Sequence, residues 1–156
     1  MAEATENTTK GGTNRAVASG LSKEVQRKII AKRNKYVENE VLKWVFDVIG
    51  EKMPDANIED VLHDGTKLCK FINELVPGYV TKINTSAEHY KSMENINTFL
   101  EACRKYGVHE NDLFQTVDLY EKRDIGTVIN CLVALARAVS RDSKFKGPQL
   151  TVDLSL

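Results

Sequence analysis

Apolar residues recur along this chain with a helical period, and nowhere with the sustained alternation of a strand. Val37, Val41, Trp44, Val45, Val48 and Ile49 fall at i, i+4, i+7, i+8, i+11 and i+12, which is one face of an amphipathic helix. Gly50 follows as a stop, and Pro54 blocks continuation. From Asn57 to Val76 the pattern predicts a short turn of helix carrying Val61 and Leu62. A longer helix follows, faced by Leu68, Phe71, Ile72 and Leu75. Asp64-Gly65 separates the two, and Pro77-Gly78 ends the second. The stretch GYVTKINTSAEHY has little helical period and predicts a loop. A long helix is expected from about Glu88 to Tyr106, with Met93, Ile96, Leu100 and Cys103 as its stripe, Phe99 beside it and Gly107 as its stop. Another runs from about Ile125 to Arg141, with Ile125, Val128, Ile129, Leu132, Val133, Ala136 and Val139 on its inner face. It is nearly all apolar or small in the middle, so it is expected to be the most buried. No hairpin signals bound any alternating segment, and the fold class is all-α.

The two ends differ from this body. Residues 1–21 are small and polar, and they bury too little apolar surface to offset the entropy of ordering, so disorder is expected there. A leading helix is expected from Ser22, an N-cap residue with Glu24 in the first turn, through EVQRKIIAKRNKY. Val25, Ile29 and Ile30 are its only apolar anchors, so it docks on a core that it does not build. The end, FKGPQLTVDLSL, has no helical period. The expected organisation is a tail over 1–21, one domain over 22–146 led by the basic helix, and a second tail over 147–156.

Composition agrees with a single domain. The 156 residues are 42% hydrophobic and 28% charged, enough for a core without disulfide or metal staples. No apolar run approaches the roughly 20 residues of a transmembrane helix, and MAEATENTTKGG has no signal-peptide core. An intracellular, soluble protein is expected. Cys69, Cys103 and Cys131 are odd in number, far apart and on apolar faces, which predicts buried, reduced thiols in a reducing compartment. The net charge of zero hides an asymmetry. Residues 1–36 hold eight Lys/Arg against three Glu, and residues 37–156 hold fourteen against nineteen acids, so +5 faces −5. The basic part concentrates in Lys23, Arg27, Lys28, Lys32, Arg33 and Lys35. It is either a solvated helix face or a footprint for an acidic partner.

Motifs for chemistry are mostly missing. DLFQTVDLYEKRD, Asp112 to Asp124, is crowded with charge, but counted as a calcium loop it places Phe114, Thr116, Val117 and Arg123 where ligands, glycine and glutamate are needed. Its aspartates are six residues apart and diverge on a helix. Gly65-Thr66-Lys67 has the wrong order for a phosphate loop, and Asp64 reads better as a carboxylate capping a helix start. His63, His89 and His109 lack metal-ligand spacing, no Gly-x-Ser-x-Gly elbow occurs, and thiols on core stripes are inert. No catalytic, metal or cofactor-binding residue is expected. A hydrolase using His63 or His109 is the weakest reading. Nucleic acid is disfavoured because the basic helix has no interleaved aromatic beyond Tyr36 and the domain is acidic. A membrane surface would need a larger apolar face than Val25, Ile29 and Ile30 supply.

The Trp44 helix, DGTKLCKFINELVPG, NINTFLEACRKYGV and DLFQTVDLYEKRD, in this order, resemble a calponin-homology domain. The type is the single-domain one of the calponin and transgelin family, including invertebrate muscle relatives, and GLSKEVQRKI looks like the segment that precedes the domain in transgelins. The resemblance covers about residues 20–148 and rests on several motifs together. It implies a compact bundle of four principal helices with shorter ones between, no enzymatic activity and no cofactor. It also implies that Asp112–Asp124 packs across the core before the last helix, with Phe114, Val117 and Leu119 as anchors and Asp118 serving nearby backbone N–H groups.

The family binds or regulates actin filaments, often in muscle, which implies a cytoplasmic, cytoskeletal protein. In calponins and transgelins, filament contacts are attributed largely to repeats after the domain with a Gly-x-Asn-Lys-x-Ala-Ser-Gln-like core. None follows here as far as Leu156, which leaves open a truncated form, a weak actin affinity or a different partner. GTNRAVASG, Gly12 to Gly20, echoes that repeat faintly.

Filamentous actin is acidic, so cations should steer contact and salt should weaken it. The candidates are Lys23, Arg27, Lys28, Lys32 and Arg33 on the leading helix, and Arg137, Arg141, Lys144 and Lys146 near the end of the last. The alternative is a signalling or scaffold adaptor that binds a kinase or another regulatory protein. Ser22 would then be a phosphosite at a helix N-terminus beside basic residues, unless it is simply an N-cap.

Overall fold

Asn34 opens the first helix of the described residues. Its side-chain oxygen accepts the N–H groups of Tyr36 and Val37 at 3.0 and 3.3 Å, while its own backbone is extended. Lys35 and Tyr36, expected at the end of the leading helix, therefore begin a new one. The structure is a computed structural model and describes residues 34–152. In chain order the helices are α1 (Lys35–Ile49), α2 (Ile58–Leu62), α3 (Thr66–Leu75), α4 (His89–Tyr106), α5 (Thr116–Tyr120) and α6 (Ile125–Ser140). A 3₁₀ turn, Glu110–Asp112, lies between α4 and α5. No strand occurs among the described residues, so the all-α expectation holds, with α1, α3, α4 and α6 as the long helices. The expected disordered tail and leading helix up to Arg33 lie outside the described residues, as do 153–156.

The helices pack as α1 against α3 and α6, and α3 against α4. In α6, Val128, Ile129, Cys131, Leu132, Leu135 and Val139 are wholly buried, as expected of the most apolar helix. The α1 face is wider than its predicted stripe. Leu42 and Phe46 are buried too, and Ile49 is only partly so, because α1 has neighbours on two sides. In α2 the buried pair is Ile58 and Leu62, with Val61 half-buried. Gly50 ends α1 in the left-handed region, at φ 73°, and returns its N–H to the Phe46 carbonyl at 2.9 Å.

The inward face of α4 differs from expectation. Phe99 is fully buried, whereas Met93 is only half-buried. The face is turned to bring Asn95 inside, where it is 2% exposed. The Asn95 amide donates to the carbonyls of Asp64 and Asn84, at 2.9 and 2.8 Å, and its oxygen accepts the Asn84 N–H at 3.0 Å. A buried amide with these bonds made stabilises, and unmade it would cost more than a methyl group gains. Gly65 permits the approach. Its φ is +76°, and a Cβ there would lie 2.6 Å from the Asn95 Cβ. The loop after α3 is held by Asn73, which donates to the Val80 carbonyl and accepts its N–H, at 3.1 and 2.8 Å.

Trp44 is a core residue, 3% exposed and edge-on to Phe71 at 4.8 Å. A buried indole N–H needs an acceptor, and this one donates to the Pro148 carbonyl at 2.9 Å. Phe145, Leu150 and Val152 also pack against the core. The segment 147–152, expected as the start of a tail, thus lies along the helices.

Candidate functional site

The charged stretch Asp112–Asp124 is committed to the fold. Asp112 is buried and accepts from the Asn130 amide of α6 at 3.1 Å. Asp118 accepts the Gln115 N–H at 2.8 Å, in keeping with its expected local role, and Asp124 accepts the Thr127 N–H at the start of α6 at 3.2 Å. Phe114 and Leu119 are buried anchors, but Val117 is only half-buried. Tyr120 stacks on His63 with centroids 4.5 Å apart and meets His89 edge-on at 4.6 Å. His63 Nε2 also bonds the Tyr120 carbonyl oxygen at 2.9 Å. His109 Nδ1 accepts the Asn111 N–H and starts the 3₁₀ turn. Each histidine therefore has a structural role.

The thiols are buried in the core. Burial pushes Cys69 up to about 12 and Cys103 well above the ordinary thiol range. Among the described residues, no three His, Cys, Asp or Glu side chains group as metal ligands. No described helix is long and apolar enough to cross a membrane.

The other candidates divide in two. Lys23, Arg27, Lys28, Lys32, Arg33 and the phosphosite candidate Ser22 lie outside the described residues. Arg137, Arg141, Lys144 and Lys146 occupy the last turn of α6 and the bend after it. The bend is built locally. Asp142 donates its N–H to the Val139 carbonyl, its own carbonyl accepts the Phe145 N–H, and its carboxylate accepts the Lys144 N–H at 2.9 Å. Phe145 turns in against the core, while Lys144 and Lys146 on either side of it are exposed.

Tyr106 of α4 fastens the bend by donating its hydroxyl to Asp142 at 2.5 Å. That bond, and then the Lys144 N–H, hold the Asp142 carboxyl below its ordinary value. Burial and then the same bond raise the Tyr106 hydroxyl. The two residues are 36 positions apart, so no local pattern records this contact. A shallow cavity of about 380 Å³ sits beside it, lined by Tyr106, Gly107, Ala138, Arg141 and Asp142.

Pairing separates this corner from several other cations. Lys67 and Lys70 both hold Glu51, at 2.6 and 2.9 Å. Arg104 holds Glu110 at 2.9 Å, and Lys122 holds Asp60 at 2.7 Å. Arg137, Arg141, Lys144 and Lys146 have no ion pair among the described residues. Four cations against the single carboxylate of Asp142 leave a net +3 over residues 137–146. Their position also suits the negative end of the α6 dipole, so the fold tolerates the concentration of charge.

The family profile described as "Calponin homology (CH) domain" matches residues 35–141. "Muscle-specific protein 20" of Drosophila melanogaster is 49% identical over 131 residues, covering 83% of this chain and 71% of its own length. "Myophilin" of Echinococcus granulosus is 48% identical over 134 residues, covering 85% of this chain and 70% of its own. The calponin-homology domain of Rng2 from Schizosaccharomyces pombe superposes with a TM-score of 0.66 at 28% identity, over 77% of this chain and 76% of that one. The calponin-homology domain of an IQGAP protein from the same yeast gives 0.66 at 26% identity, over 84% and 82%.

Proposed function

The chain belongs to the calponin-homology family, in the single-domain branch of calponins and transgelins, and from that premise we propose that it binds actin filaments and regulates or bundles them in contractile cells. The family is structural and cytoskeletal rather than enzymatic. That membership and the muscle relatives support a cytoskeletal, actin-related role in general. The finer reading, of a cytoplasmic protein seated on the filament, rests on one observation. Arg137, Arg141, Lys144 and Lys146 form an exposed to half-exposed basic corner without acidic partners among the described residues. An acidic filament would supply those partners, and electrostatic steering would speed the encounter.

The test is co-sedimentation with filamentous actin, at low and at physiological salt, of the chain and of its Arg141→Glu/Lys144→Glu variant. Binding of the parent chain should weaken with salt, and the variant should lose about tenfold in affinity, the size of a few surface charge contacts. Both substituted side chains are exposed, so the melting temperature should stay nearly constant. Equal pelleting of the two proteins would remove this corner from the footprint. If the parent chain did not pellet at all, while retaining a kinase from tissue extract, the adaptor reading would replace the filament one.

A further inference from the structure

The bend after α6 holds a hydroxyl that the fold does not use. Of the described serines, Ser92 is buried, and Ser86 accepts the Glu88 N–H at 3.1 Å. Ser140, the last residue of α6, donates to the Arg137 carbonyl at 2.7 Å. Ser143 differs from all three. It is exposed, and its hydroxyl makes no hydrogen bond among the described residues. Arg141 lies two residues before it, Lys144 one after and Lys146 three after, and all three are exposed. Phe145 turns in against the core, which leaves Ser143, Lys144 and Lys146 at the surface. The one acid among them, Asp142, is bonded to the Tyr106 hydroxyl and the Lys144 N–H. A serine kinase with an acidic substrate groove selects such a hydroxyl by the cations on either side of it.

We propose that Ser143 is a phosphorylation site for a serine kinase that reads basic sequences, and that its phosphate switches the basic corner off. The Ser143 hydroxyl oxygen forms a bond to the γ-phosphorus of ATP, its proton passes to the kinase base, and the bond to the bridging oxygen breaks to release ADP. Ser140 is the poorer acceptor. Its hydroxyl is spent on a carbonyl, and a phosphate on the last helical residue would meet the negative end of the α6 dipole. Ser143 lies beyond that turn, so its phosphate breaks no hydrogen bond of the hydroxyl. A phosphate carries about −1.5 to −2 at neutral pH, which brings the net +3 of residues 137–146 down to about +1. It also supplies Arg141, Lys144 and Lys146 with a neighbouring anion, the partner that a filament would otherwise provide. The switch rests on the filament reading above, and the site itself does not.

The test treats the whole chain with Mg-ATP and two purified serine kinases, one reading cations before the serine and the other cations after it. Peptide mass mapping should place a phosphate on Ser143 with at least one of them. The signal should vanish in Ser143→Ala and persist in Ser140→Ala. A bare Ser143 with both kinases, or phosphate on Ser140 instead, would overturn the site. The phosphorylated chain should then co-sediment with filamentous actin about tenfold more weakly at low salt, and the difference should shrink as salt rises. Kinase-treated Ser143→Ala should keep the affinity of the untreated chain, which removes any phosphate elsewhere from the account. Equal binding with and without the Ser143 phosphate would overturn the switch, as would weaker binding accompanied by a fall in melting temperature. If the untreated chain does not pellet at all, the filament reading falls by itself. Heparin beads then read the switch: the phosphorylated chain should elute at lower salt than treated Ser143→Ala, and equal elution would overturn it.

Discussion

Asp112–Asp124 and Arg137–Lys146 both crowd charge beside apolar anchors, six charged residues in thirteen and five in ten. In the first, Asp112, Asp118 and Asp124 each accept a hydrogen bond that ties one element to the next. In the second, Asp142 does similar work, but the four cations around it have no ion pair among the described residues. Charge density alone therefore marks neither a site nor a surface. What separates the two is whether the partners already exist inside the fold. A charge whose partners are internal contributes to stability, and a charge without them is available to another molecule.

The largest effect should come from ending the chain after Lys146. Every cation of the corner is kept, but the Pro148 acceptor and the packing of Leu150 and Val152 are lost. An unpaired buried indole N–H and the lost apolar contacts should cost about 2–3 kcal/mol together. Chemical denaturation would measure the loss, and Trp44 emission would shift red. An unchanged denaturation midpoint would show that 147–152 is a tail after all.

Next, Asp112→Ala should cost about 2 kcal/mol, because it strips a buried hydrogen-bonded carboxylate, whereas Lys146→Ala should stay within about 0.5 kcal/mol. Equal costs would erase the contrast between the two stretches.

The smallest effect concerns acid. The folded Asp142 carboxyl is lowered, by the Tyr106 hydroxyl first and the Lys144 N–H second. Its contribution is thus complete above the ordinary carboxylate range and is lost as pH falls through the lowered folded value. The difference in urea midpoint between the parent chain and Tyr106→Phe should shrink across that acid window. A difference constant with pH would mean that the hydroxyl does not act through the Asp142 carboxylate.

Much of the fold was legible because helical period survives in a single sequence. Val37 to Val48 and Ile125 to Val139 declare their buried faces by spacing alone. Contacts that helical period does not encode were not legible. Met93 looked more inward than it is, because period counts only apolar side chains, and the α4 face is set by polar Asn95. FKGPQLTVDLSL has no period of its own. Its docking depends instead on one carbonyl reaching Trp44, 104 positions earlier. The basic corner was visible as Arg137, Arg141, Lys144 and Lys146, but its lack of ion pairs among the described residues was not.

By itself, then, the sequence determined the helical class, the long helices, the buried thiols and, through its motifs, the family. Those properties follow from local period and residue type. The tertiary structure alone decided which charges are paired, where the C-terminal segment lies, and that His63 and His89 meet on Tyr120. Those depend on contacts between residues tens of positions apart, which no local pattern records.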